Sequence, residues 1–481
     1  MVQRQPSSTS TSPLLGASLA FNLAVLAWWA SRVYFNVGPA VSETSIHSKD
    51  SWTRTASVEA EFAESFNCSG RGVVYAEMFF QGAHDAVSCI CEDCFTGSHC
   101  EHVVPNCQAI VHSGDPLMFV PYWRQNSAAS AVLIPGWYRI GYELTQRLIP
   151  GLEKEIRTLH KLVGNAVIDG RYLVVGTGEM QLMMAAYSTV SMEAEGLPVN
   201  VVIPPPYYDA YERQVKTIKP GTVTWGMPSL TLQNTENWIP LEVVISPNNP
   251  DGSIRTGALK HPRTRTVYDH AYYWPHYTPI TGPLDDDLML FTLSKTTGHA
   301  GSRIGWAIIK DHEVYQKMQL FVVLNSVGVS HEAQLRAAQL LRSAREGYQK
   351  AKNVGLDGVP TDYAAQQLLF HFAHTKLRSR WDRMNQLFQA SNRFLIAQDR
   401  DPKYCNFFKE IVRPGPAFAW IHCQREEDKS CLEIFKEAGI VARGGARCGM
   451  TDRYVRLSMV DGDSAFENLI THVQALLMSG R

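Results

Sequence analysis

The sequence predicts an α/β chain in three parts: a large domain on a mainly parallel sheet, a smaller α+β domain, and a disulfide-rich module ahead of both. The first observation is length, because 481 residues exceed what one compact core serves, and two or three domains are expected. The second is a change of pattern from about residue 170. There Tyr172–Val175, Val201–Ile203, Leu241–Ile245, Thr266–Tyr268, Leu288–Leu293 and Ile304–Ile309 are mostly apolar on consecutive residues. That suits strands covered on both faces, with helical stretches between them. The third is cysteine placement, with six of the ten packed between Cys68 and Cys107.

Along the chain, residues 1–40 hold a polar, Ser/Thr-rich start, then Leu14 to Ala30 without a charge, then Arg32. This matches a signal h-region extended toward a membrane span. A cut after Ala30 places Trp28 where a small residue is wanted, so an uncleaved signal anchor is favoured over a cleaved signal peptide. Either one sends the chain into the secretory pathway, with the endoplasmic reticulum lumen or the vacuole as destination; a buried soluble helix is the alternative. Residues 41–66 read as a polar linker with a short helical piece.

Residues 67–108 hold Cys68, Cys89, Cys91, Cys94, Cys100 and Cys107 among Gly, Asn, Asp and Ser, with too little apolar material to form a core. Three disulfides are the expected framework. The alternative is zinc on Cys89, Cys91, Cys94 and Cys100, although C-x-C-x-x-C is tighter than the usual paired ligand sets; no metal is expected. Cys405, Cys423, Cys431 and Cys448 are scattered and need not pair. Residues 151–345 are expected to form the large domain. Residues 109–150 and 346–481 are expected to form the small one, with strands over Ala417–Cys423 and Tyr454–Met459. A net charge of −1 with dispersed Lys and Arg gives no reason to expect nucleic acid or an anionic surface as partner.

The chemistry concentrates around Lys295. In Phe291-Thr-Leu-Ser-Lys295-Thr-Thr-Gly-His-Ala-Gly-Ser-Arg303, a lysine leaves an apolar strand for a Gly/Ser/Thr-rich loop, and an arginine follows eight residues on. A buried lysine is costly unless neutral or paired, and a lysine that attacks an aldehyde must be neutral. An arginine offers the planar fork a phosphate ester needs. Asp269, in Asp269-His-Ala-Tyr272-Tyr-Trp, ends a strand. A carboxylate there can pair with a pyridinium nitrogen and make the ring an electron sink, with Tyr272 reaching the ring's phenolic oxygen. Ser246-Pro-Asn-Asn249-Pro-Asp-Gly252 is a turn by itself. Lying twenty residues before Asp269, it puts the Asn249 amide within reach of the same ring oxygen.

In order and spacing, Asn249, Asp269, Tyr272, Lys295 and Arg303 resemble the fold-type I enzymes that use pyridoxal 5′-phosphate (PLP). The strings Tyr272-Tyr-Trp-Pro-His-Tyr-Thr-Pro-Ile280 and Lys295-Thr-Thr-Gly-His-Ala-Gly-Ser-Arg303 narrow the resemblance to the plant alliinase/tryptophan aminotransferase-related family. The stretch from Cys68-Ser-Gly to Cys94-Phe-Thr-Gly-Ser-His-Cys100 looks like the EGF-like module that precedes its catalytic part. The resemblance implies that Lys295 carries the cofactor covalently, with Asp269 and Tyr272 catalytic beside it and Ser294 among the cofactor contacts. It implies that Tyr208 stacks on the ring and that Arg456, in Tyr454-Val-Arg-Leu-Ser458, clamps the substrate carboxylate, with Ser113 as a second candidate. Tyr142 is similar to the family tyrosine that reaches the phosphate of a neighbouring subunit, which implies a homodimer.

One loop departs from the family pattern. Gly176-Thr-Gly178-Glu179-Met180-Gln181 follows a strand and opens a helix, the place where backbone N–H groups hold phosphate. Hydroxyl or small residues are usual at positions 179 and 180. Here Glu179 is expected to face solvent, since an acid in a helix's first turn is favourable by itself, and Met180 costs a hydroxyl donor.

The same electron sink serves transamination of an amino acid to a 2-oxoacid and expulsion of a β-leaving group, so the core residues do not separate the two. Asn325-Ser-Val-Gly-Val-Ser330 and Arg443-Gly-Gly-Ala-Arg-Cys-Gly449 look more like the tryptophan aminotransferase branch. The expected activity is therefore conversion of an aromatic L-amino acid, L-tryptophan to indole-3-pyruvate as in auxin biosynthesis. The alternatives are a carbon–sulfur lyase acting on S-alkyl-cysteine sulfoxides and, more remotely, a degenerate catalytic domain kept as a binding module.

Overall fold

The computed structural model describes residues 66–478 except 67, 75–88, 142–147, 220, 227–236, 354–365, 390 and 397–400, together with residues 53, 54, 56 and 58. The anchor read over residues 14–30, most of the linker and Tyr142 lie outside the described residues. Among the described residues no helix is long and apolar enough to cross a membrane.

The chain divides into two units, residues 1–90 and 91–481. In the first, Cys68 is bonded to Cys89. The second begins with two further disulfides, Cys91–Cys100 and Cys94–Cys107. The six clustered cysteines therefore form disulfides rather than the zinc alternative. A fourth bridge, Cys423–Cys431, adds a pairing that sequence spacing did not require, while Cys405 and Cys448 are free and buried. Alkylation of unreduced, denatured full-length protein should thus label two of the ten cysteines, read by intact mass; four labels would mean that Cys423 and Cys431 are thiols. Closing the short loop between Cys423 and Cys431 should stabilise the fold by about 2–3 kcal/mol, measurable as the unfolding difference from a double Cys→Ser variant.

The large sheet has seven strands: β1 (Tyr172–Thr177), β2 (Val199–Val202), β3 (Val223–Gly226), β4 (Ile239–Ile245), β5 (Arg265–Asp269), β6 (Leu288–Thr292) and β7 (Ile304–Ile309). Their spatial order is β1-β7-β6-β5-β4-β2-β3. All neighbours are parallel except β7, which runs antiparallel to both β6 and β1. Every residue of β4, β6 and β7 is buried, which is why their runs read as mostly apolar on consecutive residues. The short edge strand β3 had no such signature: Thr224 is exposed and Trp225 half-buried, so it lacks the consecutive burial of β4, β6 and β7.

Helices cover both faces. The helix over Pro150–Val163 (α1) starts with Pro at its first position and stops at Gly164, whose φ of 70° only glycine adopts freely and whose N–H bonds the His160 carbonyl at 2.8 Å. Its Leu152, Ile156, Leu159 and Val163 form one buried stripe, each worth about 1.5–3 kcal/mol of removed apolar surface. Helices over Gly178–Glu193 (α2) and Ala210–Thr217 (α3) contribute Leu182, Met183, Tyr187 and Tyr211 to a second apolar cluster.

The later part of the chain forms a four-stranded antiparallel sheet of β8 (Phe394–Ile396), β9 (Phe418–Cys423), β10 (Arg443–Gly444) and β11 (Tyr454–Ser458), in the order β8-β9-β11-β10. Topology positions the site. The carboxyl ends of β1, β4, β5 and β6 and the start of β7 share one edge of the large sheet, where an α/β sheet presents its ligand groups.

Candidate active site

Each loop leaving that edge delivers one group. Buried β6 hands over to a single helical turn, Leu293–Thr296 (α4), started by the Thr292 side chain accepting from the Ser294 N–H at 3.3 Å. This turn aims Lys295 inward, where its Nζ donates to the Gly114 carbonyl and stands 5.8 Å from the centre of the Tyr272 ring. Enclosure pushes the Lys295 ammonium down to about 8, opposed by nearby Asp115 and assisted by Arg456. A fraction of the amine is therefore neutral near physiological pH, the state a lysine needs to attack a carbonyl.

Asp269 ends β5 with only 4% of its surface exposed. Its Oδ1 accepts from the Ala271 N–H at 2.9 Å and its Oδ2 from the Tyr211 hydroxyl at 2.8 Å, so the carboxylate is held rather than free to turn. After β4, the Gly252 N–H bonds the Asn248 carbonyl at 2.7 Å and closes a turn that presents Asn249. Arg456, from the middle of β11, reaches across to this turn: one Nη donates to Asn249 Oδ1 at 2.9 Å and the other to the His112 carbonyl at 2.7 Å. Its guanidinium carbon lies 3.9 Å from the centre of the Phe418 ring. Burial lowers Arg456 to about 10, and its Nε is buried without a partner. A buried guanidinium with an orphaned donor is suited to receiving a carboxylate. With the Asn249 carbonyl engaged by Arg456, its amide N–H group is the donor left for a ring oxygen. Ser113 Oγ accepts from the Asp115 N–H at 3.2 Å and also faces the cavity.

The corner around Gly178 and Arg303 is built by close approach. Gly178 has a φ of 71°, and a Cβ there would stand 2.4 Å from an Nη of Arg303, so only glycine lets the guanidinium lie against the start of α2. A Cβ on Gly305 would stand 2.6 Å from the Glu179 backbone nitrogen, which locks β7 against the same turn. Arg303 is itself left-handed, with a φ of 51°, and donates to the Ala300 carbonyl at 2.9 Å. The Ser294 hydroxyl, 3.1 Å from that of Thr292, lines the same corner.

Glu179 is half-buried and turns into the cavity instead of outward from the helix start, which corrects the expectation. Its carboxyl accepts from the Tyr211 hydroxyl at 3.3 Å and meets the carboxyl of Asp269. The reason is packing: α3 lies over the first turn of α2, with Gln214 donating to the Met180 carbonyl at 2.8 Å, and the cavity side is the one with a donor to offer. Burial, and then the charge of Asp269, raise the Glu179 carboxyl well above the ordinary range. Met180 is half-buried, packs on the second apolar cluster and adds its thioether to the cavity wall.

Lys295, Asp269, Tyr272, Asn249, Arg303, Tyr208, Glu179, Met180, Ser294, Arg456 and Ser113 thus line one cavity of about 340 Å³, with Gly178 behind Arg303. Tyr142, outside the described residues, is the one expected contact that the structure does not place. Sequence reasoning missed Tyr211, Asp115, His112, Phe418 and Arg443. Tyr211 carried a usable signal, because it follows Tyr208 by three residues at the start of a helix and so shares its face. Arg443 stood in a string noted only for its family likeness, and Phe418 had no signal, since both arrive from distant strands.

These residues fit PLP. An enclosed lysine of lowered basicity, a strand-end carboxylate for a ring nitrogen and an arginine seated on a glycine at a helix start are the three contacts the cofactor needs. Fold and site define a PLP-dependent enzyme of the aspartate aminotransferase type, fold-type I. The family model described as allinase matches residues 109–477, and the alliinase EGF-like domain matches residues 51–107. The chain belongs to the alliinase family, whose chemistry is PLP-dependent transamination or carbon–sulfur lysis. It is 38% identical to tryptophan aminotransferase-related protein 4 of Arabidopsis thaliana over 434 residues, covering 89% of this chain and 90% of that protein. Alliin lyase of Allium cepa is 35% identical over 451 residues, covering 92% and 91% respectively. In fold, the chain is similar to the aspartate aminotransferase of Thermus thermophilus with maleate, at a TM-score of 0.52 and 17% identity, covering 77% of this chain and 92% of that one. An aminotransferase of Staphylococcus aureus gives a TM-score of 0.54 at 16% identity, covering 77% and 94%. The disulfide-rich EGF-like region places the chain outside the reducing cytosol.

Proposed function

We propose that the chain is a transaminase for an aromatic L-amino acid, with L-tryptophan going to indole-3-pyruvate as the first candidate. The observation that carries this reading is the cavity wall around Lys295. Phe418 lines it beside Arg456, apart from the cofactor contacts Tyr208 and Tyr272, and its flat apolar face suits an aromatic side chain while Arg456 holds the α-carboxylate. The likeness of Asn325–Ser330 and Arg443–Gly449 to the tryptophan aminotransferase branch supports it, as do relatives named for that activity.

The bound cofactor supplies an electron sink that stabilises negative charge at the substrate's α-carbon. The chain's own residues do the rest. The guanidinium of Arg456 binds and orients the carboxylate from a buried position. Asp269, held by Tyr211 and the Ala271 N–H, keeps a proton on the ring nitrogen. Asn249 and Tyr272 serve the ring oxygen, and Arg303 with Ser294 and the start of α2 hold the phosphate. Lys295 Nζ, neutral in part near physiological pH, would take the proton from the α-carbon and hold it for delivery to the cofactor's carbon. The likeness of Tyr142 to a family tyrosine that serves a second copy supports a homodimer as the working unit, and the charge-free run over residues 14–30 supports an endomembrane anchor.

The carbon–sulfur lyase is the second reading, because the relatives include alliin lyases. Purified protein with PLP should convert L-tryptophan and a 2-oxoacid into indole-3-pyruvate, followed by chromatography. Pyruvate and ammonia from an S-alkyl-cysteine sulfoxide, with no indole-3-pyruvate, would replace the transaminase reading by the lyase.

A further inference from the structure

The acidic residue in the phosphate loop carries an inference that rests on the cofactor alone and holds for either reaction. Glu179 enters the cavity from the first turn of α2 and meets Asp269 at the end of β5. The Tyr211 hydroxyl stands between them, 2.8 Å from Oδ2 of Asp269 and 3.3 Å from Oε1 of Glu179. Two carboxyl groups in contact, in an enclosed pocket, do not both ionise; one keeps a proton and donates it to the other. Asp269 has a second fixed donor in the Ala271 N–H, so it is the better-stabilised anion. Glu179 has only the longer contact to Tyr211 and is the group that stays protonated.

Asp269 is also the group that the cofactor's ring nitrogen needs. Glu179 and the ring nitrogen therefore compete for one carboxylate. We propose that Glu179 is a proton-carrying placeholder: without cofactor its carboxyl shares one proton with Asp269, and seating the ring on Asp269 displaces Glu179 and releases that proton to solvent. The balance is simple: the Glu179 carboxylic acid becomes a carboxylate, one proton passes to buffer, and no electrons move.

The other groups facing Glu179 do not remove the competition. From α3 and the residues just ahead of it come Tyr211 and Tyr208, whose hydroxyls burial keeps neutral. From α4 comes Lys295, and from the turn before β7 comes Arg303. Both cations favour an ionised Glu179, yet the charge of Asp269 acts more strongly than that of Lys295. The sign follows. The Glu179 carboxyl is raised in the cofactor-free chain and returns to the ordinary carboxylate range once displaced. Between those two values binding releases a proton, so affinity strengthens as pH rises through that window, is level above the raised value, and loses the dependence below the ordinary one.

The test uses 4′-deoxypyridoxine 5′-phosphate, which has a methyl group in place of the aldehyde and so leaves the titration of Lys295 out of the measurement. It is titrated calorimetrically into cofactor-free full-length protein at mildly acidic pH, in two buffers of different ionisation enthalpy. Wild type should release about one more proton per site than Glu179→Gln, and its Kd should fall by up to about tenfold per pH unit relative to that variant. Glutamine keeps the shape and still accepts from Tyr211, so the fold is preserved. Equal proton counts in wild type and Glu179→Gln would overturn the proposal and leave the cofactor assignment standing. No binding by either protein would overturn both.

Discussion

Replacing Lys295 by alanine should lower turnover by about four to six powers of ten, the scale on which removing a covalent nucleophile acts. The visible absorbance of PLP-loaded protein should disappear with it, along with the mass adduct that borohydride leaves on the wild type. The fold should survive. Among the described residues the Lys295 ammonium donates to the Gly114 carbonyl alone, and removing an ammonium that burial already disfavours costs little stability. An unchanged melting temperature with lost absorbance would separate chemistry from folding. A reducible adduct that persists in the alanine variant would place the covalent lysine elsewhere.

Asp269→Asn should lower kcat by about two to three powers of ten, the size expected when one preorganised charge is removed from a site where charge develops. The asparagine carbonyl can still accept from the Ala271 N–H or from Tyr211, so the turn after β5 keeps its shape and PLP still binds. What is lost is the charge that keeps the ring nitrogen protonated. Cofactor absorbance and single-turnover rates measured together distinguish the cases: bound cofactor with slow chemistry supports the role, whereas near-normal turnover would make Asp269 a turn residue.

Much of this was legible in the chain because the chemistry restricts residue type and order. Strands buried on both faces are mostly apolar on consecutive residues, and the six runs read that way overlap β1, β2, β4, β5, β6 and β7. Lys295, Asp269, Asn249 and Arg303 stood out because each leaves a strand end in a loop of Gly, Pro, Ser or Thr. Successive parallel strands deliver such loops to one edge. The clustered cysteines were readable because a segment without apolar area has few other ways to hold itself.

Other features depended on contacts between residues far apart in the chain. Arg456 reaches Asn249 across 207 positions, and the site acquires Phe418 and Arg443 from the small antiparallel sheet. No local pattern encodes such meetings. Cys423 and Cys431 look like scattered thiols until β9 and the following helix bring their Cα atoms to 5.8 Å. The direction of Glu179 is the sharpest case. By itself, an acid in a helix's first turn belongs in water. Here α3 covers the outside of that turn, and Tyr211 and Asp269 meet the side chain within the cavity. The sequence by itself determined the sheet, the family resemblance and the order of the groups at the site. Tertiary packing alone decided that Glu179 and Asp269 come together, because the side-chain path open to Glu179 is set by a helix and a strand that its neighbours in sequence do not specify.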